Sequence, residues 1–410
     1  MRYAWLLCCA VGLAPSAAAD PLTFAEAIAR ASADGPSIAA RKAAVETARL
    51  SIRPAGELPD PQLALGLDNF PVTGADRFRL NRDEMTMLSV GVMQDVPSDA
   101  LRRARSGLAT ADAGLAGAAL EVSRLEARLA VATAWIDAYF ASARERVLRQ
   151  LAEDVATLSE ASTASLSSGA APADAALKTR MDLAQIADRL AEVKFMTASA
   201  RAELERWVGP IGDDLPGPAA PVFAIDPEHL RGHLENHVQL AGSSAEIQRA
   251  RSEYEIARAG KQPDWSWSLM YGRRDPDFGD MVSFGLKFSL PLFQSTRQSP
   301  TIDARRADIR RADAEREAMV REHRAMLEAR LAEHASLGER LMRARDVVLP
   351  LARQREAVAA AAHEAGTLPL ADLIAIRREA REAELERIDL EHRLNRLDAV
   401  LSLEYGEVAP

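Results

Sequence analysis

Three histidines four residues apart, His229, His233 and His237, carry the spacing most suggestive of chemistry in this sequence. On a helix that spacing lines three imidazoles along one stripe, where adjacent pairs can chelate a metal ion. Gly232 weakens such a helix, and Asn236-His237 falls where a helix is expected to end, so the competing reading is a solvated or locally capped surface. Met85, Met87 and Met93 are soft thioethers that could meet Cu(I), although methionines beside a loop also serve simply as packing residues. The other four histidines, His323, His334, His363 and His392, are scattered over charged helical segments with no visible constellation. Asp372, six residues after Gly366, is an acid at the start of a predicted helix, where the helix dipole alone would favour it. There is no glycine-rich phosphate loop, no Gly-x-Ser-x-Gly elbow and no His-Glu-x-x-His motif. Hydrolysis and ATP use therefore have no support, no enzyme is expected, and no cofactor is implied.

Positioning any of these residues is the work of an unusual chain. Of 410 residues, 27% are charged and only 5% aromatic, and Ala, Arg, Leu and Glu fill long stretches lacking Gly and Pro, which favours long helices and coiled coils. The net charge is -9 with basic residues interspersed, so no footprint for nucleic acid exists. Residues 1–19 read as a signal peptide: a short basic start, an uncharged run from Ala4 to Leu13, and Ala17-Ala18-Ala19 before Asp20. Both cysteines, Cys8 and Cys9, lie inside that run, so the mature chain is expected to hold none and to stay together by packing.

Beyond the signal, one pattern occurs twice. Ala55-Gly56 with Pro59-Asp60 matches Ala259-Gly260 with Pro263-Asp264; Ser89-Val90-Gly91 through Pro97 matches Ser283-Phe284-Gly285 through Pro291; Gly169 with Pro172 matches Gly366 with Pro369. The offsets, 204, 194 and 197 residues, indicate an internal duplication. The expected organisation is a first repeat over 20–210, a linker over 211–224 and a second repeat over 225–408. Each repeat has a helix, two strands and a long helical hairpin: strands at about 62–70 and 84–96 with a hairpin over 98–207, then strands at about 264–273 and 281–293 with a hairpin over 300–405. The strands alternate strictly, with Leu63, Leu65 and Leu67, then Leu88, Val90 and Val92, then Trp265, Trp267, Leu269 and Tyr271, and finally Val282, Phe284, Leu286, Phe288 and Leu290 on their apolar faces. Their length suits tilted membrane-crossing strands, although a soluble sandwich alternates similarly. A proline-free helix from Ser98 to Leu166 would be roughly 100 Å long and cannot bury itself in one compact domain. Four strands cannot close a barrel and open edges are not tolerated in lipid, so the pattern predicts a homo-oligomer, most simply a cyclic trimer.

A secreted, duplicated chain with paired strands and very long helical hairpins resembles the TolC-like outer-membrane factor family over essentially its whole mature length. The echoes are Pro59-Asp60-Pro61, Gly91 with Pro97, Gly285 with Pro291, and Gly366-Thr367 ahead of Asp372-Leu373-Ile374. The stretch Gly66-Leu67-Asp68-Asn69-Phe70-Pro71-Val72-Thr73-Gly74 with Met85, Met87 and Met93 is similar to the heavy-metal branch, which exports copper and silver or cobalt, zinc and cadmium. The resemblance implies an α+β, mostly α protomer with four transmembrane strands and periplasmic helical hairpins. Three copies would form a 12-stranded barrel and an α-helical barrel in the outer membrane and periplasm. It implies a duct completed by a periplasmic adaptor and an inner-membrane proton-driven transporter. By the same resemblance Asp372 would line a pore gate, with Ala375 standing where the family carries a second aspartate, and Asp174 out of register. Gly169, Pro172, Gly366, Thr367 and Pro369 would form adaptor-docking tips. A duct for drugs, organic compounds or secreted polypeptides, and a periplasmic coiled-coil scaffold, are the alternatives.

Overall fold

The computed structural model describes residues 22–33, 35–167, 173–211 and 219–406. The expected signal peptide and part of the expected linker lie outside them. Among the described residues the order is α1 (Phe24–Ala33), α2 (Pro36–Leu50), α3 (Ile52–Gly56), β1 (Gln62–Asp68), β2 (Met87–Val96), α4 (Asp99–Ser167), α5 (Ala173–Val208), α6 (Pro227–Gly232), a 3-10 turn (Leu234–Asn236), α7 (Val238–Ala259), β3 (Trp265–Arg273), β4 (Met281–Phe288), α8 (Gln298–Arg343), a π-helical turn (Ala344–Val348), α9 (Leu349–Glu364) and α10 (Leu370–Tyr405). None of the described helices is long and apolar enough to cross a membrane.

The four strands form one antiparallel sheet in the order β1-β2-β3-β4. Its register unites the four apolar rows. Leu65 pairs with Val90 and Val90 with Tyr271; Leu63 pairs with Val92, and Val92 with Leu269; Leu269 then pairs with Phe284. Paired residues share a face of an antiparallel sheet, so the rows become one apolar surface, open to solvent in the single chain: Leu65 is 75% exposed and Phe284 65%. Close strand approach at the centre depends on Gly91, where an added Cβ would lie 2.8 Å from the Leu269 carbonyl oxygen. All four strands are shorter than the sequence suggests, β3 by a single residue. β1 stops before Asn69, whose φ of 53° leaves extended geometry, and β2 begins at Met87 because Asp83 Oδ1 accepts the Met85 N–H and holds a turn there. β4 ends at Phe288, ahead of Pro291, which has no N–H for a ladder.

Helix α4 has 69 residues, a length of about 100 Å at 1.5 Å per residue. Its middle carries the main core. Trp135 is buried, donates its indole N–H to the Leu22 carbonyl at 3.2 Å, meets Phe24 edge-on at 5.6 Å and stacks on Tyr139. Ile38, Val131, Ile136, Phe140, Leu204 and Ala399 complete it from α2, α4, α5 and α10. In the second long hairpin Gly338 passes without interruption, whereas Pro350, in the first turn of α9, directly follows the π turn. A proline has no N–H for the carbonyl one turn before it, and a π turn absorbs that mismatch without breaking the helix.

Candidate functional site

The sheet's second face is built from small and polar residues with four methionines. Asp68, Met87, Ser89, Gly91 and Met93 share it with Ser266, Ser268, Met270 and Gly272, and with Met281, Ser283, Gly285 and Lys287. Met87 folds over Gly272, where an added Cβ would meet its Sδ at 2.5 Å. The sequence trio is thus divided: Met87 and Met93 are on this face, but Met85 sits in the turn before β2 and is exposed. Met270 and Met281 join the face instead, a grouping visible only once the register is known.

At the end of the second hairpin, α9 closes in a Schellman turn. Gly366 takes a φ of 73°, its N–H donates to the His363 carbonyl at 2.9 Å, and the Thr367 N–H donates to the Ala362 carbonyl at 2.9 Å. The Thr367 hydroxyl donates to the same carbonyl, and Pro369 caps the start of α10. Asp372 lies in the first turn of α10 with its side chain exposed, while the next two residues, Leu373 and Ile374, are buried. Gly169 and Pro172 of the first tip lie outside the described residues. Above the tip, Arg377 and Arg381 both face Asp154 of α4, at 3.5 and 3.7 Å, and Glu356 of α9, at 3.7 and 3.9 Å. Arg378 reaches Asp182 and Arg189 reaches Glu382. Arg377, Arg381 and Glu382 thus join α10 to α4, α5 and α9 rather than standing as solvated charges.

The three spaced histidines do not form one stripe. Helix α6 ends at Gly232, and His237 is the N-cap of α7, its Nδ1 accepting the Gln239 N–H at 3.2 Å. His229 and His233 stay together, with ring centroids 4.0 Å apart, but His237 turns inward against His323 at 4.1 Å and Tyr405 at 5.3 Å. Burial, and then the neighbouring His323, push the His237 imidazole down to about 4, so it is neutral at neutral pH. With Nδ1 already accepting, the single proton sits on Nε2, which leaves no lone pair for a metal. Among the described residues no group of three His, Cys, Asp or Glu side chains could hold a metal ion.

The scattered histidines also gain partners. His323 Nε2 bonds Gln239 Oε1 at 2.8 Å; His334 lies 3.1 Å from Asp398; His363 bonds the Leu368 carbonyl at the tip; His392 reaches Asp137 at 2.6 Å, with Arg144 and Arg396 on the same cluster.

Residues 230–404 match the protein family described as Outer membrane efflux protein. They are an outer membrane efflux protein domain. The chain is similar to the cobalt-zinc-cadmium resistance protein CzcC of Cupriavidus metallidurans, at 24% identity over 72% of this chain and 69% of that one. Its fold is that of solved outer-membrane channels. VceC from Vibrio cholerae superposes with a TM-score of 0.75 at 18% identity, covering 93% of this chain and 96% of VceC. CusC superposes with a TM-score of 0.75 at 15% identity, covering 94% and 92%. The protein is an outer-membrane efflux channel reaching into the periplasm, and not an enzyme.

The α+β, mostly α architecture is the one expected from the sequence, and the sheet's apolar face is exposed in the single chain. Sequence reasoning missed the pairing of His237 with His323 and the acidic partners of Arg377 and Arg381. His237 and His323 lie on separate helices, Asp154 is 223 residues from Arg377, and Glu356 faces the arginines only across the turn between α9 and α10, so no local spacing signals them.

Proposed function

We propose that three copies of this chain close one duct, the outer-membrane exit of a tripartite pump that exports heavy-metal cations. A periplasmic adaptor and an inner-membrane proton-driven transporter would complete it. The observation that carries this reading is the sheet: one continuous apolar face, with β1 and β4 unpaired on their outer sides. In hydrocarbon an unpaired backbone group costs several kcal/mol, so both edges need partners. A β4-to-β1 pairing around a three-fold axis supplies them and gives twelve strands, while a soluble scaffold would leave the apolar face in water. The metal substrate rests on the likeness to a cobalt-zinc-cadmium resistance protein.

Three-fold symmetry would bring three Asp372 carboxylates around one axis at the periplasmic end, a ring that concentrates cations. The tips at Gly366, Thr367 and Pro369, with Gly169 and Pro172, are the docking points we assign to the adaptor. The repeats at 20–210 and 225–408 act as two staves of the wall, joined by the linker. Planar-bilayer recording of the purified protein tests the reading. Wild type should give cation-selective conductance, and Asp372→Ala should raise it or weaken its cation preference. Unchanged selectivity in the variant would remove the gate alone; no conductance from a monomeric protein soluble without detergent would overturn the duct.

A further inference from the structure

A cavity of about 270 Å³ lies where α4, the start of α7 and the end of α10 meet, lined by Arg128, His233, Asn236, His237, Glu404 and Tyr405 among others. Two of its polar atoms lack a partner. His237 is 3% exposed, and its Nε2 is buried without a hydrogen bond. As argued above, that nitrogen carries the ring's proton, so it is a donor lacking an acceptor. Arg128 Nε is buried without an acceptor in the same way, and the Arg128 guanidinium forms no ion pair among the described residues. The acid that lines the cavity, Glu404, is already bound to Arg330. A metal ion would meet two N–H groups, and a water could accept from both donors but would leave the charge of Arg128 unbalanced. A group that only accepts, and is negative, satisfies both and neutralises the guanidinium. The first turn of α7, a 22-residue helix, opens on the same cavity and adds its positive end.

We propose that this cavity is a binding site for a small oxyanion, a carboxylate or a phosphate, held between Arg128 and His237. The occupant would bridge α4 to α7 and α10, joining the two halves of the chain. The site is independent of what the duct exports, so its failure would leave the channel reading intact, and the reverse.

Calorimetric titration of the detergent-solubilised full chain in chloride buffer, with inorganic phosphate and separately with acetate, tests it at constant ionic strength. Saturable binding near one anion per protomer is expected for at least one of the two, and which one binds identifies the class. Arg128→Gln should weaken it by at least about tenfold, the scale of one charge-assisted hydrogen bond. His237→Asn, which keeps a helix-capping side chain, should weaken it as well. Arg103→Gln, on a separate groove between α4 and α7, should bind as wild type. Should Arg128→Gln fail to assemble, Arg128→Lys preserves the charge and loses the fork, and should still bind more weakly. No saturable heat from wild type, or equal binding by wild type and the folded Arg128 variant, overturns the proposal.

Discussion

His237→Asn should remove a large part of the channel's acid sensitivity. In the folded chain burial lowers the His237 pKa to about 4, against 6.5 for a free histidine. Protonation therefore favours the unfolded chain: the contribution of the neutral ring is complete above pH 6.5 and is lost as pH falls from there to about 4. The full difference amounts to about 3 kcal/mol per protomer, of which about 2 kcal/mol falls between pH 7 and pH 5. The ring is almost wholly buried, so solvent screening takes little from this figure. The facing groups are His323, Arg330, Glu404, Tyr405, Arg128 and His233. His323 is itself held down by burial and adds acid sensitivity of the same sign. Asp398 works in the opposite sense, because burial raises its pKa and its contribution is lost as pH rises. Both groups remain in the variant. The assay is urea unfolding in detergent micelles at pH 7 and pH 5, followed by tryptophan fluorescence. Wild type should lose about 2 kcal/mol more than His237→Asn over that interval. Equal losses would refute the burial argument.

The two faces of the sheet should respond oppositely to charge. Leu269→Lys puts an ammonium on the apolar face and should cost about 2–4 kcal/mol near mid-membrane, seen as lost trimer on unheated gels, while Ser268→Lys on the opposite face should assemble. Gly366→Ala forces a Cβ into a φ of 73° and should lower stability by about 1–2 kcal/mol, read as a lower melting temperature with the sheet intact. Leu368→Ala, two residues further on with φ outside that region, is the control for loss of side-chain packing.

Periodicity made the elements legible. The alternation of Val282 to Leu286 and the proline-free run after Ser98 each admit one secondary structure and show which side of each strand is apolar, while the pairing register came only with the structure. Strand ends were less legible, because they depend on single local events: the left-handed Asn69 and the Asp83 turn. The histidine stripe failed for a definite reason. A four-residue period means one face only within a continuous helix, and Gly232 and the 3-10 turn rotate His237 away from its predecessors. Asp372 could be placed at a helix start from sequence, but whether carboxylates from different copies converge is a property of the assembly.

Apolar packing thins toward the tips, and this bears on how such a duct can open. Around Trp135 the core draws on α1, α2, α4, α5 and α10. Nearer the tips it shrinks to Leu151, Val155, Ile186 and Ile374 with a few half-buried neighbours. There α10 is tied to its neighbours mainly through charges: Arg377 and Arg381 to Asp154 and Glu356, Arg378 to Asp182, Arg189 to Glu382. The exposed pair of Arg189 with Glu382 contributes about 0–1 kcal/mol, and the more buried pairs on Asp154 hold polar groups that water can rehydrate when they part. Separating buried aromatic surface around Trp135 has no such replacement. The cost of moving α10 is consequently smallest at the end that carries Asp372. A rigid upper wall and a tip held by exchangeable charges are thus built into the distribution of alanine, aromatic and arginine residues along the hairpins.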